Sequence, residues 1–270
     1  MGPPAFAVEW RDDGAAVLLG PATFSWSALG VAVVLGALSM LGFSVGLHRH
    51  FAHAAFDCGV RTGRVLAWLG VLTGIDGPIG MVRAHHLSHW AQQRHEAHDF
   101  FTHRRSWLTH TIWRAHGRII LARAPAFDLG WLQADPVLRS LDRTWMLQQM
   151  VLAVPLYAAG GWPLVIWGVP VRVAATVTAY WTLAHLAHRP EGQSARHTPG
   201  NDVGWAAVLT LGEAWHSNNH AWPGSARIGL YPGQSDGGWR FIQLLERLGL
   251  AWNVRTPETM GARPLERATS

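Results

Sequence analysis

Ten of the sixteen histidines fall into four short clusters. His48, His50 and His53 form HRHFAH, and His85, His86 and His89 form HHLSH. His185 and His188 form HLAH, and His216 and His220 lie in EAWHSNNHAWP. Imidazole nitrogens are the commonest protein ligands for transition metals and suit iron, zinc, copper or nickel, so histidine content alone does not name the metal. Spacing says which rings can act together. Residues four apart share a helix face, so His85 with His89 and His216 with His220 can each supply two ligands from one element. His185 and His188, three apart, also share a face. His48 and His53 are five apart and converge only if the helix ends or distorts between them. His110, His116 and His197 stand outside the clusters and read as amphipathic anchors at a membrane surface.

Every cluster lies at or just beyond the boundary expected to face the cytoplasm. No charged residue occurs from Gly14 to Leu47, and Phe24 to Leu47 is long enough to cross a bilayer as one helix. A second block runs from about residue 144 to 186, interrupted only by Arg172. It has room for two spans, with Gly160, Gly161 and Pro163 or Pro170 supplying the turn. Val65 to Val82 is apolar but carries Asp76, which is costly at mid-membrane, so an amphipathic or re-entrant segment is expected there. Folding 14–47 as two short spans would give four crossings in place of three.

Composition supports a lipid environment. Charged residues make up 14% of the chain and hydrophobic residues 49%, against about 25% charged in soluble globular proteins. Every one of the 22 basic residues is Arg, which removes Lys-based chemistry such as a Schiff base or a P-loop phosphate clamp. A lone cysteine, Cys58, excludes an internal disulfide and a multi-cysteine metal cluster. The net charge of +5 is not gathered into a basic stripe with interleaved aromatics, so nucleic acid is not an expected partner. Arg83–Arg143 holds nine Arg against five acids, and Arg189 to the end holds eight Arg, which places both on the cytoplasmic side. The N-terminus lacks the basic region of a cleaved signal peptide, and the last eight or so residues read as disordered. No His-Glu-x-x-His zinc-protease motif occurs. Glu213 and His216 make one Glu-x-x-His pair without a second copy, which disfavours a soluble di-iron carboxylate bundle.

These segments resemble the membrane fatty acid desaturase family, in particular its stearoyl-CoA-type delta-9 members. GLHRHFAHAAF is similar to the first histidine box, H-x-x-x-x-H, through His48 and His53. MVRAHHLSHW takes the place of the second box, H-x-x-H-H, through His85 and His89. LTLGEAWHSNNHAWPGSAR takes the place of the third, H-x-x-H-H, through His216 and His220. His188 matches the histidine of a polar cluster after the last span. The resemblance runs from about residue 24 to 230. Three positions depart from it: Ser88 and Asn219 stand where the second and third boxes carry their middle histidines, and Ala184 stands where the family carries Asn.

The resemblance implies an all-α polytopic membrane protein, one domain over residues 1–270, with a cytosolic helical cap (48–143 and 187–260) that carries the metal ligands. It implies two iron ions held by His48, His53, His85, His89, His188, His216 and His220. His86, His185, His98, His50 and Asn219 are neighbours that could make up for the departures. The implied reaction is O₂-dependent desaturation of a fatty acyl chain, carried as acyl-CoA or acyl-lipid. Electrons would come from a separate ferredoxin- or cytochrome-type donor. The alternatives are a hydroxylase or other oxygenase on the same scaffold, and a metal-binding membrane protein without catalysis.

Overall fold

The computed structural model describes residues 5–8, 18–94, 98–120, 125–189 and 200–260. His197 and the last eight residues lie outside the described residues, as does the side chain of His116. The described chain is mostly helical, as expected. Two short antiparallel ribbons, unforeseen in the sequence, pair β1 (Ala5–Val8) with β3 (Gly117–Ile120) and β2 (Asp57–Cys58) with β4 (Ala251–Trp252).

Helix α1 (Trp26–Leu41) opens with the Ser25 hydroxyl accepting the Ala28 N–H at 3.1 Å, an N-cap interaction. It continues without a break into a π-helical segment, Gly42–Ala52, and the whole of Trp26–Ala52 is long and apolar enough to cross a membrane. Helix α2 (Val60–Val71) packs against this segment almost backbone to backbone. A Cβ on Gly42 would lie 2.2 Å from the Gly70 nitrogen, so only glycine fits at position 42.

At 12 residues, α2 is about 18 Å long and too short to cross a hydrocarbon core of about 30 Å. The chain turns at Gly74 (φ 77°) and re-enters α3 (Pro78–Gln92) after Asp76. The segment around Asp76 is thus a helical hairpin, not a single span. Asp142, near the end of α5, caps α3 from outside, its Oδ1 accepting the Ile79 and Gly80 N–H groups at 2.9 and 2.8 Å. Between them, α4 (Trp107–His116) leads toward α5 (Pro136–Arg143).

Helix α6 (Leu147–Ile166) leaves helical geometry at Gly160 and at Gly161 (φ 68°). A π-helical turn, Trp167–Val171, then joins it to α7 (Arg172–His188). The run Leu147–His188 is a hairpin: Arg172 Nη2 donates to Gln149 Oε1 at 2.6 Å. Along a straight helix 23 residues would separate those groups by about 34 Å. The expected turn is therefore at Gly160 and Gly161.

Arg172 itself is buried, and its guanidinium is fully engaged. Besides Gln149 it donates to the Gly168 carbonyl at 2.7 Å, to Ser39 Oγ and to the Leu72 carbonyl. Gln149 Nε2 reaches the Val71 and Leu72 carbonyls in turn. A cation inside an apolar bundle is tolerated when it faces the interior and is paired with backbone and amide groups, as here. The outer faces of these helices carry large exposed apolar residues, among them Val33, Val34, Met150, Val151, Val154 and Trp162. An apolar surface of that extent is stable only against lipid or another protein.

The remaining elements lie beyond the histidine ends of these helices. They are α8 (His216–Ala221) and α9 (Gly237–Arg247), joined by loops that pack on the π-helical segment through Val45, Phe56, Leu66, Ala226 and Ile242.

Candidate metal centre

Two triads of imidazoles stand side by side. In the first, one ring nitrogen each from His48, His53 and His85 lie within 4.8 Å of one another. The Nε2 atom of His53 is 3.1 Å from Nε2 of His48 and 3.1 Å from Nε2 of His85. The five-residue spacing is reconciled by the π-helical winding. The His53 N–H donates to the His48 carbonyl at 3.0 Å, an i to i−5 bond that stacks the two residues on one side of the helix.

The second triad joins His188 at the end of α7 to His216 and His220 on α8. Nε2 of His216 is 2.9 Å from Nε2 of His188 and 2.9 Å from Nε2 of His220. His89 stands between the triads, its ring centroid 4.4 Å from that of His85 and 5.0 Å from that of His220. All seven ligands expected from sequence are thus brought to one place.

Outer groups set which nitrogen of a ring is free. Nδ1 of His48 lies 2.6 Å from Glu213 Oε2, and Nδ1 of His188 donates to the Ala184 carbonyl at 2.9 Å. A proton on Nδ1 suits both contacts and would leave the Nε2 lone pair facing its triad, the arrangement of metal-binding histidines generally. Glu213 is held in turn by Ser44 Oγ at 2.5 Å and Arg49 Nε at 3.2 Å. Arg49 has no exposed surface, and its remaining donors meet Asp236 Oδ1 at 2.9 Å and the Ala226 and Leu211 carbonyls.

Burial would raise the Glu213 carboxyl, but His48, Arg49 and Ser44 outweigh it and hold it at about 2. Burial, reinforced by the neighbouring imidazoles, lowers His53, His85 and His216 well below the ordinary histidine range. The same causes bring His89 to about 3 and His220 to about 4. At neutral pH these rings carry free lone pairs, the state a metal requires.

Sequence reasoning missed Ser44, Arg49 and Asp236, and it considered Glu213 only as half of a different motif. An Arg beside a histidine box reads as a snorkelling anchor, and nothing local in the sequence shows that Arg49 turns inward to meet two acids more than 160 residues away.

The neighbours proposed as substitute ligands go elsewhere. His50 donates through Nδ1 to the Phe56 carbonyl at 2.9 Å, with Nε2 3.5 Å from Cys58 Sγ. His86 Nε2 is 3.1 Å from the Ala52 carbonyl, tying α3 to the π-helical segment. His98 accepts the Phe100 N–H through Nδ1 as a helix cap. His185 joins His103 and His110 in a separate group. His110 is 3% exposed, which corrects its reading as a surface anchor. Asn219 remains on α8 beside the second triad. It is 2% exposed, and neither side-chain polar atom has a partner among the described residues. An amide buried in that state calls for a ligand or a water. The two nitrogen triads, the acceptors beside Nδ1 of His48 and His188, and this orphaned amide fit a pair of histidine-held metal ions.

A cavity of about 300 Å³ reaches the triads. Met40, Phe43, Ile75, Met81, Tyr180 and Leu183 line it together with His48, His85, His89, His188 and His216, and Asp76, Ser88, Gln92, Arg114 and Glu213 also reach it. Apolar side chains beside imidazoles suit an apolar substrate held next to a metal pair.

Comparison with known proteins agrees with this geometry. Residues 24–227, a stretch that contains both triads, match the fatty acid desaturase family. The chain is 32% identical over 257 residues to an sn-2 palmitoyl-lipid 9-desaturase of Nostoc sp. (strain 36), covering 92% of this chain and 88% of that one. It is 33% identical over 248 residues to an sn-1 stearoyl-lipid 9-desaturase of Anabaena variabilis, covering 90% and 89% of the two chains. An acyl-CoA 5-desaturase of Anemone leveillei is 31% identical over 255 residues, covering 92% and 78%. Histidine boxes, cavity and sequence similarity together place the chain in the fatty acid desaturase family of oxidoreductases.

Proposed function

We propose that the whole chain acts as one unit that uses O₂ to introduce a double bond into the fatty acyl chain of a membrane lipid or an acyl-CoA. The observation that carries this reading is the cavity, lined jointly by apolar side chains and by imidazoles of both triads. The names of the 9-desaturases it resembles favour an acyl-lipid substrate. His48, His53 and His85 would hold one iron and His188, His216 and His220 the other, with His89 between them and Asn219 completing the second shell directly or through water. When bound and reduced by a separate ferredoxin- or cytochrome-type donor, the iron pair supplies the O₂-dependent removal of hydrogen from an unactivated methylene.

The protein's own part is to position and to exclude. Phe43 and Tyr180, edge to face at 5.1 Å, wall the chain in and keep water from the methylene to be oxidised. Glu213 and the Ala184 carbonyl fix the His48 and His188 rings, so the metals meet the substrate at a set depth. The membrane-embedded parts are taken to be Trp26–Ala52 and the hairpin Leu147–His188. Both end in histidines, and the Arg-rich segments that follow favour a metal centre on the cytoplasmic side.

The test is reconstitution of the iron-loaded protein with reduced donor, O₂ and a deuterated saturated acyl-lipid. A double bond with loss of two deuteriums is expected. Loss of product in His85→Ala and His216→Ala, together with iron loss, ties it to this site. A hydroxylated product would move the assignment to an oxygenase. Iron-loaded protein that yields neither product in the presence of donor and O₂ would overturn the enzyme reading.

A further inference from the structure

A third group of imidazoles lies beside the two triads and is used by neither. One ring nitrogen each from His103, His110 and His185 lie within 4.8 Å of one another, and the three residues are 3%, 3% and 5% exposed. They come from three separate elements. His103 ends the helical turn Asp99–Thr102 in the left-handed region (φ 53°), His110 lies in α4, and His185 lies one turn before the end of α7. The rings of His103 and His110 stack at 4.5 Å, and that of His185 lies 5.3 Å from His110 and 6.0 Å from His103.

The burial is uncompensated. Nδ1 of His103 and Nδ1 of His185 have no hydrogen-bond partner among the described residues. A buried imidazole usually gives its N–H to a carbonyl or carboxylate and accepts with the other nitrogen. Rings gathered this closely cannot all be protonated without strong mutual repulsion, so their lone pairs are available. A left-handed backbone at a non-glycine residue, held by the His103 N–H to the Asp99 carbonyl at 3.0 Å, adds a strained conformation of the kind that marks functional positions. The group also borders a polar cavity of about 670 Å³, lined by His103 and His185 together with Arg104, Arg105, Arg189 and Ser106.

We propose that His103, His110 and His185 form a third metal site, which takes one divalent ion of the zinc class. Three neutral imidazoles with a fourth position open to a cavity are a donor set that such an ion accepts, with water or an anion held by the arginines as the remaining ligand. The site is separate from the iron pair but touches it, because the His103 ring stacks on that of His188 at 5.2 Å. An ion at the third site would stiffen the wall behind the second triad.

The experiment is a titration of the metal-stripped full chain with Co²⁺, read by visible absorption and by elemental analysis. Three equivalents are expected for the unaltered protein, and two for His110→Phe and for His185→Phe, each with the signal of the paired sites retained. His85→Ala and His216→Ala should keep the third equivalent. Two equivalents in the unaltered protein would overturn the proposal even if a variant failed to fold, and so would equal counts in the protein and both third-site variants. Desaturation by a protein with only two metals would sink this site and leave the proposed function standing. Three equivalents without turnover would do the reverse.

Discussion

Glu213 Oε2 lies 2.6 Å from His48 Nδ1, so a residue at the start of the third histidine box governs the ring orientation of the first. The link crosses 165 residues of chain and fastens the π-helical segment to the loop ahead of α8. We predict that Glu213→Gln, which keeps the shape but removes the charge, lowers metal affinity about 10- to 100-fold, the usual effect of losing an outer partner of a ligand. Competition with a calibrated chelator measures it. An unchanged affinity would mean that Glu213 serves packing alone.

Asn219 gives a test with two opposite readouts. Its buried amide has no partner among the described residues, so Asn219→Leu should stabilise the metal-free protein by about 1–3 kcal/mol, the cost of leaving such a group unpaired. The same substitution should weaken metal binding at the second triad. A variant less stable without metal would show that the amide has a protein partner, and one with unaltered affinity would remove Asn219 from the ligand set.

The π-helical segment depends on the closeness of α2. Since a Cβ on Gly42 meets backbone atoms at 2.2 Å, Gly42→Val should cost about 1–3 kcal/mol through overpacking and shift His48 relative to His53. Thermal unfolding reports the first effect and loss of metal from the first triad the second. A fully stable, metal-replete variant would contradict the close packing of α1 and α2.

Acid should weaken the metal-free protein in a defined direction. His89 and His220 titrate near 3 and 4 when folded but near 6.5 when unfolded. Between those values the unfolded chain binds more protons, so stability is full above about pH 6.5 and falls as the pH drops toward 4. Glu213 adds to the loss only below its ordinary value of 4.5, so the window from 6.5 to 4.5 belongs to the imidazoles. A melting temperature that stays flat or rises from pH 6.5 to 5 would contradict the buried neutral rings.

Much of the centre was legible because its rules are local. The i, i+4 pairs His85–His89 and His216–His220 follow from helix geometry, and apolar runs fix which helices end at a common depth. The convergence of His48 with His53 was legible only as a condition, that the helix distort, and the π-helical winding meets it. His103 carried no periodic signal, since it sits on a turn in left-handed conformation. His185 looked like an extra member of the HLAH cluster beside His188. Only the fold brings α4 against α7 and reveals the third group. Arg49 and Glu213 were hidden for the same reason, because ion pairs across more than 160 residues leave no spacing to read.

Arg172 bears on how the chain is made. Among the described residues, each partner of its guanidinium, Ser39, Leu72, Gln149 and Gly168, precedes it in sequence. During synthesis the arginine therefore emerges after every group that must neutralise its cost in the bilayer. The hairpin from 147 to 188 can insert with its cation already matched, and the order of translation becomes the order of assembly. A circular permutant that begins within the hairpin would lose that sequence of events while keeping every contact of the finished fold.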